Sequence, residues 1–334
     1  MGGKGVKKRG IGVGCMWYGV GNTALPNPAS AFVEWLDDGT VNLMIGCADI
    51  GQGSDTIMAQ IAAEELGIPA EDVYVTSADT LVTPEGGATS ASRQTYITGN
   101  AVKLASAEAK TVAVDEAAIM LNKDAGSIAF ADGVVFADGN ATNVKVTDVI
   151  ANCRKKGKLT LGKGWFNPNT TSLEAQTGHG SPYGTYAFAT QVAEVEVDTD
   201  TGKVEVLKLV AAHDVGTAIN PQLVEGQIEG GSAMGLGYGL LEEVTTAGGI
   251  IKNNNFTDYL LPTVLDVPEI TSIIVEDKEP TGPFGAKGVG EPALIPTAAA
   301  IANAVYNAIG VRIFSLPITP ERVLEALAKN KAER

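Results

Sequence analysis

Glu291 is the strongest candidate for a catalytic residue, because it lies in the glycine-rich segment Gly288-Val289-Gly290-Glu291-Pro292. A helix is predicted over 292–309, and a carboxylate at a helix N-terminus is stabilised as the anion. The glycines before it leave a substrate room to approach, and an ionised carboxylate shielded from water can take a proton. A capping carboxylate before a proline at the first helical position explains the same pattern. Taken alone, the segment leaves both interpretations open.

Two further turns precede predicted helices. In Gly51-Gln52-Gly53, backbone N–H groups at a helix start favour anions, and the glutamine amide can donate and accept hydrogen bonds in one plane. Ser90-Ala91-Ser92-Arg93-Gln94 places two hydroxyls, a guanidinium and an amide at the positive end of a helix dipole, which suits a phosphate or a polar ring. The first could equally be a plain strand-to-helix turn, and the second an N-cap with a solvated arginine.

Charge, cysteine and histidine usage exclude several classes of site. The formal net charge of -15 argues against a nucleic-acid partner, since phosphate binding needs a basic surface. Cys15, Cys47 and Cys153 lie far apart without a CxxC spacing, which argues against a zinc–thiolate site or an iron–sulfur cluster in this chain. His179 and His213 are too few for a histidine-built metal site and are expected to be loop or strand hydrogen bonders.

The chain has no evident targeting or membrane segment. Nothing resembles a secretory signal at the N-terminus, and no run approaches the ~18 apolar residues that a membrane span needs. An odd number of cysteines, 3 in all, suits reduced thiols. A cytoplasmic protein is therefore expected.

Two familiar nucleotide-binding signatures fail in this sequence. Gly10-Ile11-Gly12-Val13-Gly14 has Trp17 where a dinucleotide site needs its third glycine. The GxxxxGK spacing from Gly157 to Lys163 is followed by Gly164 in place of the Ser or Thr that would hold magnesium. Neither glycine-rich segment predicts a nucleotide site.

The elements that must position the candidate residues mix strands and helices without regular alternation, which favours an α+β fold. Strands or hairpins are predicted over 31–50, 73–76, both flanks of Asp132-Gly133, 187–197, 204–212 and 270–275. Helices are predicted from a Ser54 cap to Leu66, along the Ala-rich stretch to about Asn122, from a Thr147 cap to Lys155, from Asn220-Pro221, over 292–309 and from Thr319-Pro320. Residues 84–92 and 280–291 are predicted loops, and 157–182 is a linker between lobes at 1–182 and 183–334. No internal repeat is visible in the sequence.

Together, and in this order, the glycine-framed segments resemble the second molybdopterin-binding domain of the xanthine dehydrogenase family, the molybdenum hydroxylases. The matching stretches are Ile50-Gly51-Gln52-Gly53, Ala88-Thr89-Ser90-Ala91-Ser92-Arg93-Gln94, Asp214-Val215-Gly216 with Asn220-Pro221 and Gly226-Gln227, and Gly288-Val289-Gly290-Glu291-Pro292. The ordered set covers nearly the whole chain and is specific where any single stretch is weak. The resemblance implies two interlocked lobes of mixed sheets with packed helices.

The family pattern also implies residue roles. Glu291 would be the active-site base, Gln52 and Gly53 would touch the pterin, and Ala91 would lie close to the metal. Ser92, Arg93 and Gln94 would bind pterin or dinucleotide phosphates. The full cofactor-binding set expected from the resemblance is Gly51, Gln52, Gly53, Ser90, Ala91, Ser92, Arg93, Gln94, Gln227, Gly288, Val289 and Gly290. Molybdenum would be held by the pterin dithiolene, so no protein metal ligand is expected.

The family reaction hydroxylates an electron-poor ring carbon or an aldehyde with oxygen from water. Within the family, the chain is similar to the medium molybdopterin subunit of nicotinate dehydrogenase at Gly10 to Gly14, Trp17-Tyr18-Gly19, Gly21-Asn22-Thr23 and Ala88 to Gly99. That similarity implies hydroxylation of nicotinate to 6-hydroxynicotinate, with a molybdopterin cytosine dinucleotide carrying an oxo ligand and a sulfido or selenido ligand. A purine or aldehyde hydroxylase subunit, or a non-catalytic scaffold that holds the cofactor, remains an alternative.

The resemblance further implies partner subunits. Family members carry a preceding molybdopterin-binding domain, and this chain is expected to meet that domain on a larger molybdopterin subunit. FAD and [2Fe-2S] clusters are expected on other subunits, because no flavin or iron–sulfur module is recognisable in these residues. The active site is therefore expected at an interface between subunits.

Overall fold

The computed structural model describes residues 6–23 and 25–332. The prediction that the N-terminus carries no secretory signal concerns in part residues 1–5, which lie outside the described residues. The strands are β1 (Lys7–Gly19), β2 (Ala29–Trp35), β3 (Val41–Ile45), β4 (Val73–Ser77), β5 (Ile128–Ala131), β6 (Val134–Ala137), β7 (Asn140–Lys145), β8 (Leu161–Phe166), β9 (Tyr186–Asp198), β10 (Val204–Asp214), β11 (Thr246–Ala247), β12 (Ile250–Ile251) and β13 (Glu269–Val275). The helices are α1 (Ser54–Leu66), α2 (Gly99–Leu121), α3 (Val146–Lys155), α4 (Pro221–Leu240), α5 (Ile295–Ile309) and α6 (Pro320–Ala332).

Two four-stranded mixed sheets share one topology. The first has the order β4-β3-β2-β8 and the second the order β13-β10-β9-β1. Each sheet contains two antiparallel strand pairs and one parallel pair. The parallel pair is β3 with β4 in the first sheet and β10 with β13 in the second. Each parallel pair is joined through a helix, α1 or α4. The sequence shows no repeat, but the structure repeats the same arrangement of strands and helices.

This repetition places the candidate turns in equivalent positions. The turn at 51–53 follows β3 and leads into α1, and the loop at 90–94 follows β4 and leads toward α2. In the second sheet, the turn after β10 leads into α4, and the loop ending at Glu291 follows β13 and leads into α5. All four segments therefore leave the carboxyl ends of parallel strands, where open sheets commonly bind ligands.

Helices cover one face of each sheet at glycine positions. A Cβ at Gly164 of β8 would lie 1.9 Å from the Ala101 carbonyl oxygen of α2. A Cβ at Gly12 of β1 would lie 2.0 Å from the Ala304 nitrogen of α5. Because a side chain at either position would overlap helix backbone, the glycine patterns that fail as nucleotide signatures serve sheet–helix packing.

Buried side chains form separate hydrophobic clusters around the two sheets. In β2 and β3, buried residues alternate with half-buried ones, and Trp35, Leu43 and Ile45 are fully buried. In the second sheet, Val195 and Leu209 meet Ile301 and Val305 of α5. A smaller three-stranded sheet, β5-β6-β7, and the β11-β12 hairpin lie outside these two sheets.

Most predicted elements are present, with local corrections. Ser54 begins α1 but does not cap it, since the N-cap is Gly53 in the left-handed region without a side-chain hydrogen bond. Thr147 lies inside α3, whose N-cap is Lys145. The predicted linker 157–182 contains β8, which pairs with β2.

The position of β1 interlocks the two lobes. Although β1 lies within the segment 1–182, it pairs along its full length with β9 of the second sheet. A division of the chain at residue 182 therefore separates sequence segments but does not separate the two sheets.

Glu291–Ile309 is the one helical stretch, within 6–23 and 25–332, that is long and apolar enough to cross a membrane by length and composition. Half of the tested stretch is buried inside the fold. Ala300, Ile301 and Ala304 of this stretch pack in the core against the second sheet, which is the behaviour of a core helix.

Candidate active site

The four turns meet at a cavity of about 490 Å³ between the two sheets' helices. Both apolar side chains and polar groups line it, and its volume is typical of a small-molecule site. The predicted residues that line it are Gln52, Ser90, Ser92, Arg93, Gln94, Gln227, Gly288, Val289, Gly290 and Glu291. Gly51, Gly53 and Ala91 are not among the lining residues. Glycine-rich turns from distant parts of the chain thus converge on one pocket.

The Glu291 carboxylate is held by three donors from two other segments. Its Oε1 accepts the Ala91 backbone N–H at 2.9 Å. Its Oε2 accepts the Tyr18 hydroxyl at 3.2 Å and also the Ser92 hydroxyl. In turn, the Glu291 backbone N–H donates to Ser92 Oγ at 2.9 Å. The carboxylate is half-buried at the cavity wall, with its orientation fixed from both sides.

The loop at 90–94 adopts an unusual backbone to reach this carboxylate. Ala91 and Ser92 have φ values of 51° and 53°, in the left-handed region that residues with a side chain seldom adopt. Two such residues in succession are costly and persist only where surrounding contacts hold them. Here the contacts of Ala91 N–H and Ser92 Oγ with Glu291 supply that support.

Close backbone contact joins this loop to the segment that carries the base. A Cβ built on Gly288 would lie 1.8 Å from the Ser92 carbonyl oxygen, and one on Gly290 would lie 3.4 Å from Ser92 Oγ. A side chain at Gly288 would therefore push the two segments apart. The glycine that the sequence suggests for substrate access is also needed for this packing.

Arg93 does not take the role that the sequence suggests. The side chain is 1% exposed. Its guanidinium donates to the backbone carbonyls of Gly86, Ala88, Asn27 and Pro28. Since these carbonyls use its terminal nitrogens, the prediction that Arg93 binds phosphate does not fit this geometry. Arg93 instead fixes the shape of the loop before α2.

The glutamines of the two turns combine cavity lining with local hydrogen bonds. Gln52 accepts from Ile50 N–H at 2.7 Å and donates to Ser54 Oγ at 2.9 Å. Gln94 donates to the Ala88 carbonyl at 3.0 Å and to Thr89 Oγ1 at 3.1 Å. Both amides are therefore pre-oriented where they line the cavity.

A buried ion pair that the sequence does not predict lies beside the cavity. Lys287 Nζ is 2.7 Å from Asp214 Oδ2, and the two side chains are only 6% and 8% exposed. The Lys287 backbone N–H also donates to the Val215 carbonyl at 2.9 Å. These contacts tie the loop before Glu291 to the carboxyl end of β10. Asp214 occurs in a matching family stretch, but no local signal pairs it with Lys287.

Tyr18 is the other site residue without a role predicted from sequence. Burial, with the neighbouring Glu291 carboxylate as the second cause, raises the pKa of the Tyr18 hydroxyl to about 12. The hydroxyl therefore remains protonated and able to donate at neutral pH. Only a contact across 273 positions reveals this function, so no local pattern could have found it.

Neither histidine faces a metal site. His213 is fully buried, its Nε2 lies 3.1 Å from Gln191 Nε2, and burial lowers its pKa to about 4. His179 lies exposed in a loop. His213 is thus a strand hydrogen bonder as predicted, whereas the hydrogen bonds at His179 are made by its backbone. Across residues 6–23 and 25–332, no group of three or more His, Cys, Asp or Glu side chains could hold a metal ion.

The family profile described as a molybdopterin cofactor-binding domain matches residues 2–268. The chain belongs to this family. The molybdopterin-binding domain is 36% identical over 323 residues to the xanthine dehydrogenase molybdenum-binding subunit of Escherichia coli O157:H7, covering 95% of this chain and 42% of that relative. It is 32% identical over 333 residues to the 6-hydroxypseudooxynicotine dehydrogenase complex subunit gamma of Paenarthrobacter nicotinovorans, covering 98% of this chain and 41% of that relative.

Solved structures of molybdenum hydroxylases share the fold of this molybdopterin-binding domain. Quinoline 2-oxidoreductase from Pseudomonas putida 86 matches with a TM-score of 0.85 and 30% identity, over 97% of this chain and 42% of that chain. The aldehyde oxidoreductase from Desulfovibrio desulfuricans ATCC 27774 matches with a TM-score of 0.80 and 33% identity, over 96% of this chain and 32% of that chain. The predicted α+β fold of mixed sheets with helices is confirmed. The domain spans about two fifths of the length of the two curated relatives named above.

The lining of the cavity fits a pterin cofactor. A pterin presents ring nitrogens, an amide oxygen and an amino group, which can pair with the Gln227 amide, the Gln52 amide oxygen and backbone groups of the lining. Both cations at the cavity wall are engaged within the fold, Lys287 with Asp214 and Arg93 with backbone carbonyls. The cavity therefore offers an organic cofactor mainly amides and backbone groups, which bind and orient it.

Proposed function

We propose that this domain is the cofactor-binding and catalytic part of a molybdenum hydroxylase that hydroxylates a ring carbon of an N-heteroaromatic compound. Nicotinate, converted to 6-hydroxynicotinate, is the first substrate candidate. The observation that carries the proposal is the Glu291 carboxylate, which is oriented by Ala91, Ser92 and Tyr18 at the wall of the cavity. A simple helix cap does not need donors from distant segments to orient it at a cavity wall, whereas a general base does need a fixed orientation.

The residues divide into those that hold the cofactor and those that hold the base. Gln52, Gln94 and Gln227, with the backbone of Gly288 to Gly290, would hold the molybdopterin, which we propose to be the cytosine dinucleotide form with a sulfido or selenido ligand. When bound, this group supplies the two-electron oxidation with oxygen taken from water. Glu291 accepts the proton released in that step at one carboxylate oxygen. Ala91 N–H and Tyr18 OH then keep the carboxylate aimed at the cavity.

Two observations bear on the substrate. The named relatives act on quinoline and 6-hydroxypseudooxynicotine, but also on xanthine and aldehydes. Both cations that line the cavity are engaged, Lys287 with Asp214 and Arg93 with carbonyls. A nicotinate carboxylate would therefore need a contact from a partner subunit. A purine or aldehyde hydroxylase is the second candidate, because relatives of both kinds match nearly the whole chain.

The proposal includes partner subunits. The named relatives are about twice as long as the match or longer, and one is a subunit of a complex. We propose a larger subunit with the preceding molybdopterin-binding domain, and separate FAD and [2Fe-2S] subunits that carry the electrons away. The free cysteines Cys15, Cys47 and Cys153 lie apart, one exposed and two buried, and do not form a cluster site.

Replacing Glu291 with Gln in the assembled complex tests the catalytic role. The amide keeps the size of the side chain but cannot accept a proton, so turnover should fall by about 10²-fold or more. Molybdenum and pterin content should stay at the unsubstituted level. Unchanged turnover with full metal content would contradict the role of Glu291 and favour a scaffold. Turnover of nicotinate, hypoxanthine and benzaldehyde by the unsubstituted complex decides between the substrate classes.

A further inference from the structure

A fully buried polar cluster lies directly behind the segment that carries Glu291. Its centre is Gln191 of β9, which is 0% exposed, as are its partners His213 of β10, Ser232 of α4 and Thr297 of α5. Gln191 thus joins two strands and two helices of the second sheet. None of these four side chains lines the cavity.

The shortest hydrogen bond that Gln191 donates goes to the turn that carries Glu291. Its Nε2 donates to the Ala293 carbonyl at 2.9 Å, compared with 3.2 Å to Ser232 Oγ and 3.1 Å to His213 Nε2. Its Oε1 accepts the Thr297 hydroxyl at 2.7 Å. Ala293 is the last residue of one turn of 3-10 helix, Glu291–Ala293. In this turn, the Leu294 N–H donates to the Glu291 carbonyl at 3.1 Å.

The Glu291–Ala293 turn is tightly packed on its other side, against α4. A Cβ on Gly231 of α4 would lie 2.4 Å from the Ala293 Cβ, so the helix backbone lies close against the turn. Inside such a dry region, hydrogen bonds are electrostatically stronger and an unmade one is costly. The Gln191 amide thus supplies a buried hydrogen bond to the Ala293 carbonyl, at the end of the turn that begins with Glu291.

We infer that Gln191 is a positioning residue for the reaction: through the Ala293 carbonyl, it sets the place of the Glu291 carboxylate in the cavity. The inference rests on the proposed role of Glu291 as the base. Gln191 contacts neither cofactor nor substrate. Its effect is on the fraction of bound complexes with the carboxylate in reach of the proton, because small misplacements of a catalytic group cost large factors in rate.

The experiment is a double-mutant cycle in the assembled, cofactor-loaded complex. Gln191→Met keeps the volume but removes all four hydrogen bonds, and we expect kcat to fall about 10-fold with KM and molybdenum content unchanged. In a Glu291→Asp background, where the carboxylate is already drawn back by one methylene, the same change should cost less than about 3-fold. Glu116→Met, which empties a buried polar network around α2, is the matched control and should leave kcat unchanged.

Thr297→Val provides a milder version of the same cycle if Gln191→Met does not assemble. It removes one partner of the Gln191 amide and should show the same non-additivity with Glu291→Asp at a smaller size. Equal fold losses in both backgrounds, or a loss explained by lower molybdenum content, would overturn the inference while leaving the role of Glu291 intact. If Glu291→Gln itself retains turnover, the proposed function fails instead.

Discussion

The Tyr18 hydroxyl donates to Glu291 Oε2 across 3.2 Å, although 273 positions separate the two residues in the chain. Tyr18 lies at the end of β1, the strand that completes the second sheet. The carboxylate itself comes from the loop after β13. The edge strand of the second sheet thus contributes directly to the candidate active site.

Substituting Tyr18 by Phe should lower kcat about 10-fold, because one hydrogen bond to a charged group is lost, at a cost of about 1.5 kcal/mol. The raised pKa of Tyr18, about 12, keeps the hydroxyl protonated, so the loss should be constant from about pH 7 to about pH 9. Steady-state kinetics across this range measure it. Tyr259→Phe, which removes a hydroxyl from Glu242 away from the cavity, is the control. Equal activity of the two variants would show that Tyr18 does not orient the base.

Gly288→Ala should disrupt the site by separating two loops. The new methyl would lie 1.8 Å from the Ser92 carbonyl oxygen, so either the loop at 90–94 or the segment before Glu291 must move. A displacement of about 1 Å can cost about 10²-fold in rate, and cofactor content should fall as well. Metal analysis and turnover measure both effects. Gly226→Ala, where a Cβ meets nothing within 4 Å, should leave them unchanged.

Lys287→Met should destabilise the chain by about 3–5 kcal/mol, because it leaves the Asp214 carboxylate buried without its partner. Adding Asp214→Asn removes the uncompensated charge and preserves the acceptor for the Gly216 N–H, so the double variant should regain much of the stability. Urea unfolding followed by circular dichroism measures the difference. A double variant no more stable than Lys287→Met would contradict a direct pairing of these charges.

His213 should make stability depend on pH. Its pKa in the fold is about 4, below the ordinary value of 6.5, because burial disfavours the charged ring. The unfolded chain therefore binds a proton that the folded chain does not, and stability falls as the pH drops from about 6.5 toward about 4, by up to about 3 kcal/mol. Above about pH 6.5 this contribution is fully present.

Comparison of His213→Gln with the unsubstituted protein isolates this contribution. Unfolding free energies between about pH 7 and about pH 4.5 should show a slope shallower by up to about 1.4 kcal/mol per pH unit in the variant. His179→Gln, at an exposed loop position, should keep the original slope. Parallel pH curves for His213→Gln and the unsubstituted chain would mean that this ring does not control the acid response.

The sequence by itself determined the segments that build the site and most of the elements that carry them. Glycine-framed turns before helices, alternation in β2 and β3, and the hairpin of β9 and β10 are local signals, since each is encoded within a few neighbouring residues. The order of the turns also pointed to the family, which the matched domain over 2–268 confirms.

Tertiary structure alone decided which partner each side chain meets. The sequence suggests that Arg93 binds an anion, but its guanidinium donates hydrogen bonds to four backbone carbonyls, two of them at residues 27 and 28. Tyr18 and Gln191 carry no local signal, because the contacts that connect them to the site, with Glu291 and Ala293, span more than 100 positions. The glycines of β1 fit neither a turn nor a nucleotide loop until α5 is placed against them. Contacts of this range depend on how the two sheets interlock, a property of the whole chain that no short window of residues contains.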